Sequence, residues 1–150
     1  MSGTSNPVAW RDVVDRLGLQ PHPEGGWYAE TWRAPSPPGE RATASAILYL
    51  VAAGDRSHWH RVDAAEIWQF SAGQALELRV AIPGETGASV ARHRLGPDVA
   101  AGDEAQVVVP LGAWQAARPL GEWSLLGCIV SPAFTFDGFE LAAPGWDPEA

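Results

Sequence analysis

The chain has 150 residues, a length that fits one domain able to bury its own core. Its net charge is −8 and it contains no Lys, so a polyanionic partner such as nucleic acid is not expected. The single cysteine, Cys128, excludes an internal disulfide, and its apolar surroundings predict an inert buried thiol.

The ends and the hydropathy of the chain give no sign of targeting. No charged segment precedes an apolar run at the N-terminus, and no apolar stretch approaches ~18 residues. We therefore expect a cytoplasmic protein with no membrane partner.

The N-terminal segment predicts one short helix. Residues 1–5 should be loose, and residues 6–150 should form a single domain. Asn6 is a candidate N-cap, Pro7 suits the first helical position, and Gly18 would end the helix. Between them, apolar residues recur at helical spacing: Trp10, Val13, Val14 and Leu17. This helix should pack on the outside of the domain.

The rest of the chain predicts short strands joined by turns rich in Gly and Pro. The predicted strands cover 27–33, 43–52, 76–82, 89–95, 106–109, 113–118 and 123–130, with a last one within 134–142. The strand at 43–52 is apolar on both faces and should be central. In the next clear strand, Leu76, Leu78, Val80 and Ile82 should share one face. The turns fall at 83–87 and 96–102. Many short strands favour a sandwich or a barrel.

Residues 54–73 contain the most informative cluster of polar side chains. His58 and His60 are two residues apart, so on a strand they should share a face. The polar run 61–63 is typical of a turn, which would bring Glu66 back across a hairpin. Two imidazoles and a carboxylate suit a divalent metal such as Zn, Fe, Mn or Ni.

This cluster, written Gly54-x3-His58-x-His60-x5-Glu66-x6-Gly73, resembles the first motif of the cupin superfamily. Gly102-x7-Pro110-x-Gly112-x-Trp114-Gln115 resembles the second motif. Four stretches are similar to hallmarks of the DUF985, or cupin 5, family: 23–30 (Pro-Glu-Gly-Gly-Trp-Tyr-Ala-Glu), 58–62, 66–68 and 114–118. The resemblance runs from about residue 17 to about residue 140.

The resemblance implies an all-β fold, the cupin double-stranded β-helix or jelly roll, here with a short N-terminal helix. Such a closed shape holds a small-molecule cavity. The family is labelled predicted sugar epimerases, which implies a carbohydrate-like or polar cyclic ligand. It also implies a homodimer made by strand exchange or edge pairing.

A metal site is one of two interpretations of these motifs. Where the second cupin motif usually places its metal histidine, this chain has Gln115. One interpretation is a divalent metal held by His58, His60 and Glu66, with Gln115 as a weak fourth ligand. The other is a metal-free cavity.

Glu66 is the main candidate for acid–base catalysis. It begins a Glu-x-Trp-x-Phe pattern, so Glu66, Trp68 and Phe70 should share one face. If that face lines a cavity, desolvation would raise the pKa of Glu66 and suit it to proton transfer. His60 is the alternative base, and Tyr28 is a candidate proton donor.

The candidates for ligand contact are an acid, an arginine and three aromatic residues: Glu24, Arg33, Trp68, Phe70 and Trp114. The aromatic rings could stack on a sugar, and Arg33 could bind an anionic group through its bidentate fork. His22 and His93 are expected at the surface.

Three functions are consistent with these patterns. The first is a small cupin enzyme, sugar epimerase- or isomerase-like, that transfers a proton next to a carbonyl. The second is a non-catalytic module that binds or senses a small ligand, which Gln at positions 69 and 115 favours. The third is a metal-dependent oxygenase or isomerase.

Overall fold

In residues 8–82 and 89–149, which the computed structural model describes, one α-helix is followed by two antiparallel β-sheets. Helix α1 spans Trp10–Leu17, and a 3-10 helix spans Val99–Ala101. The strands are β1 (Gln20–Pro21), β2 (Trp27–Arg33), β3 (Ser45–Ala52), β4 (Ser57–Val62), β5 (Ala65–Gly73), β6 (Leu76–Ala81), β7 (Val90–Leu95), β8 (Gln106–Val109), β9 (Trp114–Pro119), β10 (Trp123–Ser131) and β11 (Phe139–Leu141).

Helix α1 packs its apolar face on the outside of one sheet, as predicted. Its four apolar residues contact a cluster formed by Leu50, Ala52 and Leu125. Gly18 ends the helix in the left-handed conformation, with a φ of 66°. The helix begins at Trp10 without a side-chain cap, and the predicted start at residues 6 and 7 lies outside the described residues.

The two sheets form the predicted jelly roll. The first sheet has the strand order β1-β2-β3-β10-β5-β8, and the second has the order β11-β4-β9-β6-β7. Buried residues of both sheets form the core between them, among them Tyr49, Trp68, Leu78, Ala117 and Leu126. Strand β3 is central, as predicted, because it pairs with β2 on one side and with β10 on the other.

Strands β4 and β5 do not form the expected hairpin. Strand β4 pairs with β9 and β11 in the second sheet, whereas β5 pairs with β10 and β8 in the first. Val62 and Ala64 are both buried at the bend between them, so the chain crosses from one layer to the other instead of reversing within one. His60 and Glu66 therefore come from different sheets.

Smaller differences concern strand ends. Strand β11 covers only three residues of the predicted 134–142 segment. Ile82 follows β6 and is 43 % exposed, so it does not share the buried face of Leu76, Leu78 and Val80. The predicted turn at 83–87 lies outside the described residues. Within the described part of the chain, no helix is long and apolar enough to cross a membrane.

Candidate functional site

A cavity lies between the two sheets and is lined by both polar and aromatic side chains. Its polar wall includes His22, Glu24, His60 and Glu66, and Phe139 contributes to its apolar wall. The cavity volume is about 30 Å³. This is room for about one or two waters or for the reacting end of a small ligand.

Glu24 and His60 form a buried ion pair in this cavity. The His60 Nδ1 atom lies 2.7 Å from Oε2 of Glu24, and the Ser57 hydroxyl donates to the same oxygen. Burial alone would lower the pKa of His60, but the charge and hydrogen bond of Glu24 raise it to about 9. Burial likewise acts to raise the pKa of Glu24, yet His60 outweighs it and the pKa is lowered. At neutral pH the pair is an imidazolium and a carboxylate.

Glu66 faces the same cavity from the other sheet. Burial raises its pKa to about 7, although the nearby charge of His60 acts in the opposite direction. The Gln115 Nε2 atom donates to Oε1 of Glu66 at 2.8 Å. The Gln115 Oε1 atom accepts from Trp68 Nε1 at 2.7 Å. Near neutral pH, Glu66 can therefore both take up and release a proton, as its apolar surroundings predicted.

His22 is part of the cavity wall, so its expected surface position is wrong. Only 9 % of the residue is exposed, and its ring lies edge-on to Tyr28 with 4.6 Å between ring centroids. Burial lowers its pKa, more than the Glu24 charge raises it. The loop folds back on itself through a hydrogen bond from His22 N to Gly26 O at 2.9 Å. The only signal in the sequence was that His22 immediately precedes the 23–30 hallmark.

Two glycines let this loop approach the strands that carry the site. Gly25 and Gly26 have φ values of 104° and 75°, a region that favours glycine. A Cβ on Gly26 would lie 2.6 Å from the Tyr49 hydroxyl oxygen. That hydroxyl donates to Gly25 O at 2.5 Å, and His58 N donates to Glu24 O at 2.8 Å. The close approach places the Glu24 side chain beside His60.

His58 does not share a face with His60, and that expectation is wrong. The pairing of β4 with β9 shifts register between Ser57 and His60, so a bulge breaks the two-residue alternation. Ser57 and His60 contact Glu24, while His58 Nε2 lies 3.0 Å from Ala143 O. His58 therefore contacts the C-terminal segment and not the cavity.

The predicted metal ligands do not assemble into a metal site. His58 lies outside the cavity wall, and both side-chain amide atoms of Gln115 are engaged within the protein. His60 uses Nδ1 in its pair with Glu24. Over the described ranges, no group of three or more His, Cys, Asp or Glu side chains is placed to hold a metal ion. These residues do not fit the divalent metal that their sequence pattern suggested.

The other candidates divide between the cavity and the rest of the molecule. Tyr28 and Glu24 line the cavity. Trp68 is 1 % exposed in the core, and Phe70 packs against that core. Trp114 packs instead against Trp146, with 4.8 Å between ring centroids, and against the Arg61 guanidinium. Arg33 forms an exposed ion pair with Glu30.

Several cavity residues were not candidates from the sequence: His22, Ser45, Phe134, Phe139 and Cys128. Cys128 is buried, as predicted, and burial raises the pKa of its thiol. The two Phe residues belong to the segment 132–139, for which only a strand was expected. Nothing in its spacing indicated that it would close over a site.

Comparison with known proteins agrees with this architecture. A family described as "Cupin superfamily (DUF985)" matches residues 11–142. A solved structure from Shewanella oneidensis is 37 % identical, with a TM-score of 0.84, and the match covers 91 % of this chain and 85 % of that chain. A hypothetical protein from Leishmania major is 30 % identical, with a TM-score of 0.81 and coverages of 91 % and 88 %.

A more distant structure is similar in fold alone. Oxalate decarboxylase from Bacillus subtilis is 11 % identical, with a TM-score of 0.61, and the match covers 81 % of this chain and 29 % of that chain. No protein with a curated description matches the chain.

Proposed function

This chain belongs to the DUF985 family of the cupin superfamily, and we propose that it is a sugar epimerase- or isomerase-like enzyme acting next to a carbonyl group. One observation supports the proposal above the others. A base and an acid face one cavity from opposite sheets: Glu66, with a pKa of about 7, and His60, with a pKa of about 9. Two titratable groups with separated pKa values are typical of acid–base catalysis.

In the proposed reaction, the Glu66 carboxylate removes a proton from the carbon next to the carbonyl. The C–H electron pair forms a C=C bond, and the carbonyl π pair moves onto oxygen, where the His60 imidazolium stabilises it. A proton returned to the same carbon from the opposite face gives an epimer. A proton returned to the former carbonyl carbon, with loss of the neighbouring hydroxyl proton, gives an isomer. Tyr28 lines the same cavity and is the proposed second proton donor.

The cavity supports a small, uncharged substrate. Within the described residues, the wall of this cavity contains no Arg, so no bidentate fork is present to bind a phosphate or carboxylate group. The narrow space suits the end of an open-chain hydroxy ketone or hydroxy aldehyde. The proposed substrate class is therefore a short carbohydrate-like carbonyl compound.

Solvent deuterium exchange tests this function directly. Wild-type protein in D₂O should exchange the protons next to the carbonyl of dihydroxyacetone or erythrulose, followed by NMR. Glu66→Gln should slow this exchange by about 10²- to 10⁴-fold, because the base is lost. Glu40→Gln is the matched control, since Glu40 is exposed and outside the cavity. Unchanged exchange in Glu66→Gln would rule out Glu66 as the base.

A non-catalytic binding or sensing module is the second candidate. The full engagement of Gln115 within the protein favours it, because this residue offers no free group to a reacting ligand. This function predicts saturable ligand binding with no exchange after long incubation.

A metal-dependent oxygenase or isomerase is the third hypothesis, and the position of His58 outside the cavity wall counts against it. It requires His58 to turn into the cavity, away from Ala143. Elemental analysis of purified protein tests it: one equivalent of Zn, Fe, Mn or Ni that is lost in His60→Gln would favour it.

We also propose a homodimer, on the basis of the family resemblance alone. Light scattering at micromolar concentration tests this assembly, and a monomeric mass would contradict it. Pairing through sheet edges would leave the cavity between the sheets of each subunit intact.

A further inference from the structure

The hydrogen bonds of His22 fix which of its ring nitrogens carries the proton. The backbone N–H of Glu24 donates to His22 Nδ1 at 3.1 Å. Nδ1 also lies 3.3 Å from Glu24 Oε1, but this longer contact lacks hydrogen-bond geometry. Because Nδ1 accepts a hydrogen bond, the neutral ring must carry its proton on Nε2. The lowered pKa of His22, due first to burial, keeps the ring neutral at physiological pH.

His22 and His60 flank one carboxylate and face one cavity. The Nδ1 atom of His22 is next to Oε1 of Glu24, and the Nδ1 atom of His60 is next to Oε2. Both rings also contact the ring of Phe139, with centroid distances of 5.9 Å and 5.6 Å. In both rings Nδ1 is therefore used by the protein, which leaves Nε2 for the cavity.

The Nε2 atoms of both rings are free to bind a ligand. Among the residues that the structure describes, neither Nε2 atom has a hydrogen-bond partner in the protein. In the same residues, His58 Nδ1 is a fully buried side-chain atom that lacks a hydrogen-bond partner, and the two Nε2 atoms are not in this class. Both atoms therefore meet the open space of the cavity, where each would present an N–H group.

We propose that His22 is a neutral hydrogen-bond donor which, together with His60, binds the carbonyl oxygen of the ligand and stabilises the negative charge that develops there. This inference rests on the proposed function and deepens it. Two N–H donors that face one cavity suit a carbonyl oxygen, which accepts two hydrogen bonds and carries no proton. A hydroxyl oxygen bound by the same two donors would still need an acceptor for its own O–H. The Glu66 carboxylate then remains free to act on the neighbouring carbon.

The two imidazole rings differ in charge and therefore have different roles. His60 is an imidazolium and can donate a proton, whereas His22 is neutral and can only donate a hydrogen bond. A preorganised neutral donor adds stabilisation of an oxyanion in a buried site. It does so without placing a second positive charge beside the first.

The first test is the tautomer of His22, which needs no ligand. Long-range ¹H–¹⁵N NMR of histidine-labelled protein at pH 7, assigned by comparison with His22→Gln, should show a neutral ring protonated at Nε2. A ring protonated at Nδ1, or at both nitrogens, would overturn the inference.

The second test compares two probes that differ in one group, dihydroxyacetone and glycerol. Wild-type protein should bind dihydroxyacetone about 10-fold more tightly, because the central O–H of glycerol would be left without an acceptor between two donors, and an unpaired buried polar group has an effect of this order. His22→Phe should bring the ratio close to one, and His22→Gln, which keeps an N–H donor, should restore part of it. His93→Phe is the matched control, since His93 lies outside the cavity beside Glu104.

The outcomes separate this inference from the proposed function. A wild-type protein without the preference, or His22→Phe with an undiminished preference, would overturn the role of His22. Thermal unfolding of each variant shows whether it is folded, and His22→Gln provides the second reading if His22→Phe is not. A preference for dihydroxyacetone without deuterium exchange would support His22 as a donor and contradict turnover.

Discussion

Gln115 holds Glu66 in place through a hydrogen bond of 2.8 Å that crosses from the second sheet to the first. The same amide accepts a hydrogen bond from Trp68, so its orientation is fixed at both ends. The position that resembles a metal histidine in the cupin motif therefore serves here to orient a carboxylate. An oriented, half-ionised carboxylate is what proton abstraction requires.

Replacement of Gln115 by Leu should remove this support. The buried Trp68 N–H and Glu66 would each lose a partner, which should reduce the free energy of unfolding by about 2–4 kcal/mol. The pKa of Glu66 should also rise above about 7, because the hydrogen bond from Gln115 lowers it. Urea denaturation and NMR titration measure the two effects. Gln106→Leu is the control, since Gln106 is exposed and its amide donates to Gln69 Oε1; an equal loss there would contradict this prediction.

The stability of the protein should fall as the pH rises from about 6.5 to about 9. The pKa of His60 is raised from 6.5 to about 9, so its contribution is complete below pH 6.5 and is lost as the pH passes 9. The raised pKa of Glu66 acts in the same direction between 4.5 and about 7. Glu24 has a lowered pKa and acts oppositely, losing its contribution as the pH falls below 4.5.

Substitution of Glu24 by Gln tests the origin of this alkaline loss. Without the carboxylate, the pKa of His60 should fall, and the loss of stability between pH 6.5 and 9 should largely disappear. At pH 6, breaking this buried pair should cost about 3–5 kcal/mol. Glu104→Gln removes a similar contact at 2.8 Å from His93, but at a site where the Glu104 side chain is 46 % exposed, so its effect should be below about 1 kcal/mol.

The rate of proton exchange should have a bell-shaped dependence on pH. The rate should rise as the pH passes about 7, where Glu66 loses its proton, and should fall as the pH passes about 9, where His60 loses its proton. Among the other titratable groups near the site, His22, Cys128 and Tyr49 have pKa values that are shifted away from this window. In Glu24→Gln the alkaline limb should move to lower pH. An unmoved limb would assign it to a group other than His60.

The loop that carries His22 and Glu24 should require Gly26 for two reasons: its positive φ angle and its lack of a side chain. Gly26 and Gly39 have similar φ values, 75° and 81°, so Ala at either position carries a similar backbone strain of about 1–3 kcal/mol. At Gly26 the added Cβ also meets the Tyr49 hydroxyl oxygen at 2.6 Å and Leu50 O at 2.8 Å, whereas at Gly39 nothing lies within 4 Å.

Gly26→Ala should therefore lower the free energy of unfolding by about 1–3 kcal/mol more than Gly39→Ala does. It should also lower the pKa of His60, because Glu24 would move with the loop. Thermal denaturation and NMR titration of both variants test this. Equal losses of stability would mean that the loop adjusts without a change in its packing.

The sequence predicted those parts of the fold that follow from regular alternation. Strand β2 has the predicted bounds, and β3, apolar on both faces, lies at the centre of its sheet. The raised pKa of Glu66 followed from its apolar neighbours on the same face. The two strand predictions depend only on residues close together along the chain, and the prediction for Glu66 needed only the apolar pattern of its own strand.

The parts that failed depend on irregular or long-range geometry. A bulge between Ser57 and His60 reverses the orientation of His58, and no residue in that stretch marks it, because bulges need no particular side chain there. Two residues join β4 to β5, and a connection of this length fits either a tight hairpin or a crossover to the other sheet. His22 enters the site because its loop packs against residues 55–58. This is a long-range contact: Glu24, in the same loop, is more than 30 residues away from these partners in the sequence.

Because β4 and β5 belong to different layers, the gap between His60 and Glu66 is set by the thickness of the core and not by the bend that joins them. The proposed proton donor and acceptor therefore lie on two separate sheets. A smaller side chain at Leu126 or Val51, two apolar residues with no chemical role at the site, would let the two sheets pack closer together. The distance between His60 and Glu66 would then change. In the proposed reaction, the packing of the apolar core would therefore itself affect the rate.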